Sequence, residues 1–140
     1  MLKGSCVFWV SIPSEEAAGL TLERMQLLPS ARGGYINGNS SLIIQHNLSI
    51  GDHCVISWDC QFLDEDFHEI CYAGKRATGN SIIIGNNVWI GCGVKIYKGT
   101  VIRDGCVIAA NSSVRGTFQV QNSLIGGNPA KVIKENVSWK

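Results

Sequence analysis

The chain has 140 residues and a formal net charge of +1, with Lys+Arg at 12 against Asp+Glu at 11. That length suits one domain with a modest core, and the even charge balance leaves no electrostatic footprint for nucleic acid or an anionic membrane surface. No apolar run reaches the eighteen or so residues of a membrane span.

Residues 1–35 form an N-terminal segment. Its start, "MLKGSCVFWVSIPSEEAAG", joins a lysine to an apolar stretch as a secretory leader does, but the stretch is short and lacks a small-residue cleavage site. Within it, "PSEEAAGLTLERMQLL" predicts a short helix, with Ser14 as cap and Leu20, Met25 and Leu28 on one side. None of the six cysteines (Cys6, Cys54, Cys60, Cys71, Cys92, Cys106) belongs to a C-x-x-C pair, which removes the zinc-ribbon and thioredoxin-like readings. Reduced thiols in a cytoplasmic protein are the expectation.

From residue 36 onward an interval of six organises the chain. It first appears as Ile44, Ile50, Ile56 and Phe62, with Leu48, Cys54 and Cys60 as small or apolar companions. It breaks between Phe62 and Ile84, because twenty-two is not a multiple of six. The residues in between, "DEDFHEICYAGKRATGNSI", carry acids, a histidine and the basic pair Lys75 and Arg76 that a dry interior would reject. A loop is therefore extruded, over residues 69–81, and projecting loops are where binding and chemistry concentrate.

Beyond the break the register runs Ile84, Ile90, Ile96, Ile102, Ile108, Val114, Val120, with Val88, Val94, Thr100, Cys106, Ser112, Phe118 and Leu124 as companions. The fourth residue of each hexad is Asn87, Gly93, Gly99, Gly105 or Asn111, and upstream Asn47, His53 or Asp59. These types tolerate positive φ. Each hexad thus reads as a short strand closed by a tight turn, three hexads make one triangular coil of eighteen residues, and stacked coils lie about 4.8 Å apart. Residues 36–125 are expected to be this parallel β-helix. Residues 126–140 read as a turn and a short helix capping the open last coil.

Two stretches carry a family resemblance: "IGNNVWIGCGVKIYKGTVIRDGCVIAANSSV", and "LIGGNPAKVIKENVSWK" with its glycine, any residue, proline, alanine, lysine ending. They resemble the hexapeptide-repeat acyltransferases, over about residues 36–140. The resemblance implies an all-β fold, a left-handed parallel β-helix with a protruding loop and a short C-terminal helix. It also implies a homotrimer with sites at subunit interfaces and acetyl-CoA as donor, with no metal.

In the sugar O-acetyltransferase branch a histidine ends the coil before the protruding loop, and "DEDFH" matches that context at Asp64, Asp66 and His68. A sugar hydroxyl needs its proton removed as it attacks a thioester, and imidazole titrates near neutral pH, so His68 is the expected general base. Asp66, Asp64, Glu69 or a backbone carbonyl is a candidate to orient the ring. By matched motif Trp89, Gly91 and Cys92 lie by the thioester, with the Cys92 amide an oxyanion donor. Ala109 and Ala110 keep the donor groove narrow, and Lys131 and Lys134 approach the nucleotide phosphates. Lys75 and Arg76 are expected on the acceptor.

Trp89 points outward from the coil and needs a cover, either a neighbouring subunit or the bound donor. Arg115 and Gly116 stand where many relatives have other residues and paired prolines, which removes the basis for donor contacts from that stretch. His46 and His53 occupy turns and read as structural. The leading expectation is acetyl transfer to a sugar hydroxyl, of a surface-polysaccharide precursor. The alternatives are N-acetylation of an amino sugar, antibiotic or amino acid, or a non-catalytic structural subunit.

Overall fold

A computed structural model describes residues 32–140 of the chain. The helix expected over residues 13–28 and Cys6 lie outside the described residues. Three faces of parallel β-strands wrap into a triangular coil. The first face stacks β1 (Tyr35–Ile36), β4 (Val55–Ile56), β7 (Trp89–Ile90), β10 (Val107–Ile108) and β13 (Leu124–Gly127). On the second face lie β2 (Ser41–Ile43), β5 (Gln61–Leu63), β8 (Lys95–Tyr97) and β11 (Ser113–Val114). The third carries β3 (Leu48–Ile50), β6 (Ile82–Ile84), β9 (Val101–Ile102) and β12 (Thr117–Phe118).

The turn residues do what their types allow. Asn87 and Asn111 have φ of 53° and 60°, and His53 and Asp59 have 57° and 60°. Gly93 has φ of 70°, and a Cβ there would fall on the Asn111 Oδ1 of the coil above. Asn47 is the exception: its backbone is not in the positive-φ region, and its N–H instead donates to Asp64 Oδ2 at 2.8 Å.

Inside, the registers place like on like. Ile56, Ile90, Ile108 and Ile125 stack on the first face. Phe62, Ile96 and Val114 stack on the second, and Ile50, Ile84, Ile102 and Phe118 on the third. Between these columns Cys54, Cys60 and Cys106 are buried as small hydrophobes. Burial raises the thiol pKa of Cys54 and of Cys60 above the ordinary value.

Three expectations are corrected. The hexad register does not continue to Val120, which is 36% exposed. Only Arg115 and Gly116 join β11 to β12, so Phe118 pairs with Ile102 and takes the inward position, and Ile125 then pairs with Ile108. Upstream, Leu42 rather than Ile44 pairs with Phe62, although both are buried. The C-terminal helix is absent: residues 126–140 carry no helix, and β14 (Ala130–Lys134) runs antiparallel to β13, with Gly127 paired to Ala130. Val132 and Ile133 favour a strand, and the last coil offers an unpaired sheet edge that a strand closes with a hydrogen-bond ladder and a helix does not.

The chain leaves the coil after Leu63 and rejoins it at Ile82, so the extrusion starts earlier than residue 69. It emerges from the corner between the second and third faces.

Ile96 is fully buried at the middle of its column. Ile96→Ala should destabilise the protein by about 2–5 kcal/mol, as deletion of a buried aliphatic side chain does, read as a lowered midpoint in denaturant unfolding.

Candidate active site

Asp64 opens the extruded segment and is fully buried. Its Oδ1 accepts the N–H of Gln45 at 2.7 Å, and its Oδ2 accepts those of His46 and Asn47 at 2.7 and 2.8 Å. Three of the roughly four acceptor sites of this carboxylate are thus taken by backbone amides. It fastens the base of the loop to the turn below, and the expectation that it orients His68 is corrected.

Asp66 is likewise engaged elsewhere. Its Oδ2 meets Lys98 Nζ at 3.0 Å and its Oδ1 meets Arg115 Nη2 at 3.1 Å. Lys98 follows β8 and Arg115 follows β11, so one carboxylate ties the loop to two successive coils. Burial alone would raise the Asp66 carboxyl, but the Lys98 ammonium and the Arg115 guanidinium more than offset it and hold it below the ordinary carboxylate value. The guanidinium carbon of Arg115 stands 5.4 Å from the centre of the Tyr97 ring, a cation–π placement that fixes its plane.

The other acids of the loop are paired too. Glu65 Oε2 meets His46 Nε2 at 2.8 Å, and that bond is the main cause of its lowered pKa. Glu69 Oε1 lies 3.3 Å from Lys75 Nζ. His68 itself is exposed and hydrogen-bonded to none of these acids. It opens onto a cavity of about 700 Å³ whose walls include Asp66, Lys75, Arg76, Lys98 and Arg115. The sequence pattern singles out His68, Lys75 and Arg76 of these lining residues but not Lys98 and Arg115, for Arg115 is 49 residues from its partner Asp66 and no local spacing signals such a pair.

The residues expected on the donor gather elsewhere. Trp89 is 40% exposed on the first face, its Nε1 donating to Ser57 Oγ at 3.3 Å. Part of its cover comes from the same chain: the Trp139 ring centre is 6.1 Å away, and Trp139 Nε1 donates to the carbonyl of Asn87 at 2.9 Å. The two indoles, with Tyr35 and Trp58, wall a cleft of about 330 Å³.

Gly91 and Cys92 follow β7, and Ala109 and Ala110 follow β10 one coil above. Their backbones are in close register, Gly91 N–H donating to the Ile108 carbonyl at 2.9 Å and Asn111 N–H to the Cys92 carbonyl at 2.8 Å. Above them Gly126 is so close to Ala109 that a Cβ would lie 2.8 Å from the alanine Cβ. Beside Gly126, on β14, Lys131 is its register partner and Lys134 that of Leu124; both lysines are exposed. A track lined by backbone and small side chains thus climbs from Trp89 to the two lysines, a shape and charge that fit a slender arm ending in phosphates.

His68 and Trp89 do not meet within one chain. The loop leaves the corner between the second and third faces, and Trp89 lies on the first, which is the opposite side of a three-sided prism.

Residues 81–116 match the family model of the bacterial transferase hexapeptide (six repeats). The matched segment carries the six-residue repeat read from the sequence. The fold of the chain is a left-handed parallel β-helix, in agreement with its structural neighbours. The chain is 50% identical over 106 residues to an uncharacterized 24.8 kDa protein in the cps region of Klebsiella pneumoniae, covering 76% of this chain and 48% of that protein. It superposes on the polySia-specific acetyltransferase NeuO with a TM-score of 0.65 at 31% identity, over 76% of this chain and 47% of NeuO. On the Vibrio cholerae hexapeptide-repeat acetyltransferase VCA0836 complexed with acetyl coenzyme A the TM-score is 0.60 at 30% identity, over 73% of this chain and 56% of that one. The chain spans about half the length of these relatives.

The lowered Asp66 pKa sets the sign of a pH effect. The contribution of its clamp to stability is complete above the ordinary carboxylate pKa of about 4 and is lost as pH falls through the lower folded value. Asp66→Asn should therefore lower the melting temperature at pH 7, and the gap to the parent protein should close in melting curves as the pH falls through the lowered folded value.

Proposed function

We propose that the protein is an acetyl-CoA-dependent O-acetyltransferase that acts on a sugar hydroxyl, with His68 as general base. The observation that carries this reading is the pairing of an exposed imidazole, on a loop held at its base by Asp64 and Asp66, with a separate track of small residues leading to Lys131 and Lys134. The first suits an acceptor and the second a donor. The polySia-specific acetyltransferase and the acetyl coenzyme A complex of the hexapeptide-repeat acetyltransferase that the chain resembles support the same assignment.

Acetyl-CoA supplies the activated acyl group as a thioester substrate. His68 takes the proton of the sugar hydroxyl as its oxygen forms the new bond to the acetyl carbon. The carbon–sulfur bond then breaks and the proton passes to the departing thiolate. The backbone N–H of Cys92 faces the negative charge that develops on the acyl oxygen. Cys92 itself stays thiol, since transfer is direct. Trp89 packs against the thioester end of the donor, Gly91, Ala109 and Ala110 leave room for the pantetheine arm, and Lys131 and Lys134 meet the phosphates. Lys75 and Arg76 contact the acceptor, and Asp66 positions the His68 loop through Lys98 and Arg115.

Because His68 and Trp89 lie on opposite sides of one prism, a complete site needs two protomers. A homotrimer with its loops at the seams makes three such sites and gives each Trp89 a partner's His68. The acceptor in this reading is a polysaccharide precursor, and the reaction runs in the cytoplasm, where reduced cysteines are stable.

His68→Ala should lower acetyl transfer by about 10²–10⁴-fold while coenzyme A still raises the melting temperature, since a ligand that binds the native state stabilises it with or without the base. Loss of the thermal shift together with activity would point to a structural role for His68. A mixture of His68→Ala and Trp89→Ala protomers, refolded together, should recover transfer that neither variant has alone; no recovery would show that each chain carries its own complete site.

A further inference from the structure

The cavity beside His68 holds more positive charge than its own acids neutralise. Its basic side chains are Lys75, Arg76, Lys98 and Arg115. Of its carboxylates, Glu65 is bonded to His46, and Asp66 is shared between Lys98 and Arg115. Glu69 meets only Lys75. Among the described residues Arg76 has no ion pair, and Arg115 spends one terminal nitrogen on Asp66 while half of its side chain stays exposed. Two guanidinium groups with unused donors therefore face the space in front of the proposed base.

We propose that the acceptor is an acidic sugar, recognised through its carboxylate by Arg76 and Arg115. The inference rests on the acetyltransferase reading of the same cavity and adds the chemical class of the acceptor. A planar guanidinium binds a carboxylate through two parallel N–H···O bonds, which a lysine ammonium cannot reproduce. The Tyr97 ring, 5.4 Å from the guanidinium carbon, gives Arg115 a second contact, and the pair with Asp66 holds it beside the loop that carries His68. A cavity of about 700 Å³ is the size of a small-ligand site. One end of the sugar ring is thereby anchored by charge, and a hydroxyl on the same ring is left for the imidazole.

The test is binding and transfer with methyl glycosides of glucuronic acid and of N-acetylneuraminic acid, each beside its carboxamide, with glucose and glucose 6-phosphate as neutral and phosphate controls. At low salt at least one acid should bind about tenfold or more tighter than its own amide, the value of a charged hydrogen bond. Arg76→Gln should abolish that preference as a rise in KM. Arg115→Lys, which retains a cation for Asp66, should abolish it too, with coenzyme A binding unchanged in both variants. Amides that bind as well as their acids, tighter binding of the sugar phosphate, or a preference that survives both substitutions would overturn the inference. Transfer to neutral sugars with no gain for acids sinks this inference and leaves the acetyltransferase reading intact. Arginine-dependent binding of an acid without any transfer does the reverse.

Discussion

Everything in this molecule depends on a backbone constraint repeated every few residues: a turn position in the left-handed region of φ/ψ space. Asn87, Gly93, Gly99, Gly105 and Asn111 meet it in succession, and each meeting bends a two- or three-residue strand toward the next face. Once the chain has bent three times it lies above its own start, and the backbone groups that a lone strand would leave bare are paired to the coil below. The inward side chains have no choice but to stack. Ile90 sits over Ile56 and under Ile108, so the core is a set of columns rather than a droplet.

A scaffold of this kind holds its surface rigidly, and the loop exploits that. Asp64 and Asp66 are two residues apart, yet one faces down to three amides of the first coil and the other up to cations on two later coils. Together they grip the chain on both sides of a single corner, just before the exposed imidazole. The carboxylates of this loop serve as fasteners, and the histidine is left without a local hydrogen-bond partner.

Most of the architecture was legible because the repeat is local. The six-residue interval and the identity of the turn residues specify coils without reference to anything distant, and the failure of the interval after Phe62 locates the loop. What escaped was non-local or non-periodic. Only two residues join β11 to β12, and a rule that counts sixes carries on past them to Val120, which is exposed. The closing strand β14 follows a glycine–proline turn that serves a helix cap as readily as a hairpin; the bare edge of the last coil decides between them. The clamp of Asp66 with Lys98 and Arg115 joins residues whose distance in sequence encodes nothing, as does the meeting of Trp89 with Trp139. His68, Lys75 and Arg76 were visible for the opposite reason, being polar residues packed into the long stretch after Phe62 where the apolar interval lapses.

The extruded segment departs after Leu63 and returns at Ile82, and both flanking strands, β5 and β6, keep their regular neighbours β8 and β9. The segment is in effect a cassette: its two ends are fixed by the coils at one corner, and its interior owes the core nothing. Transplanting a different sequence between those ends would exchange the groups presented at that corner while the isoleucine columns remained as they are. A lineage built on this prism can thus vary what that corner presents by rewriting fewer than twenty residues, with the cost of folding already met by the rest of the chain.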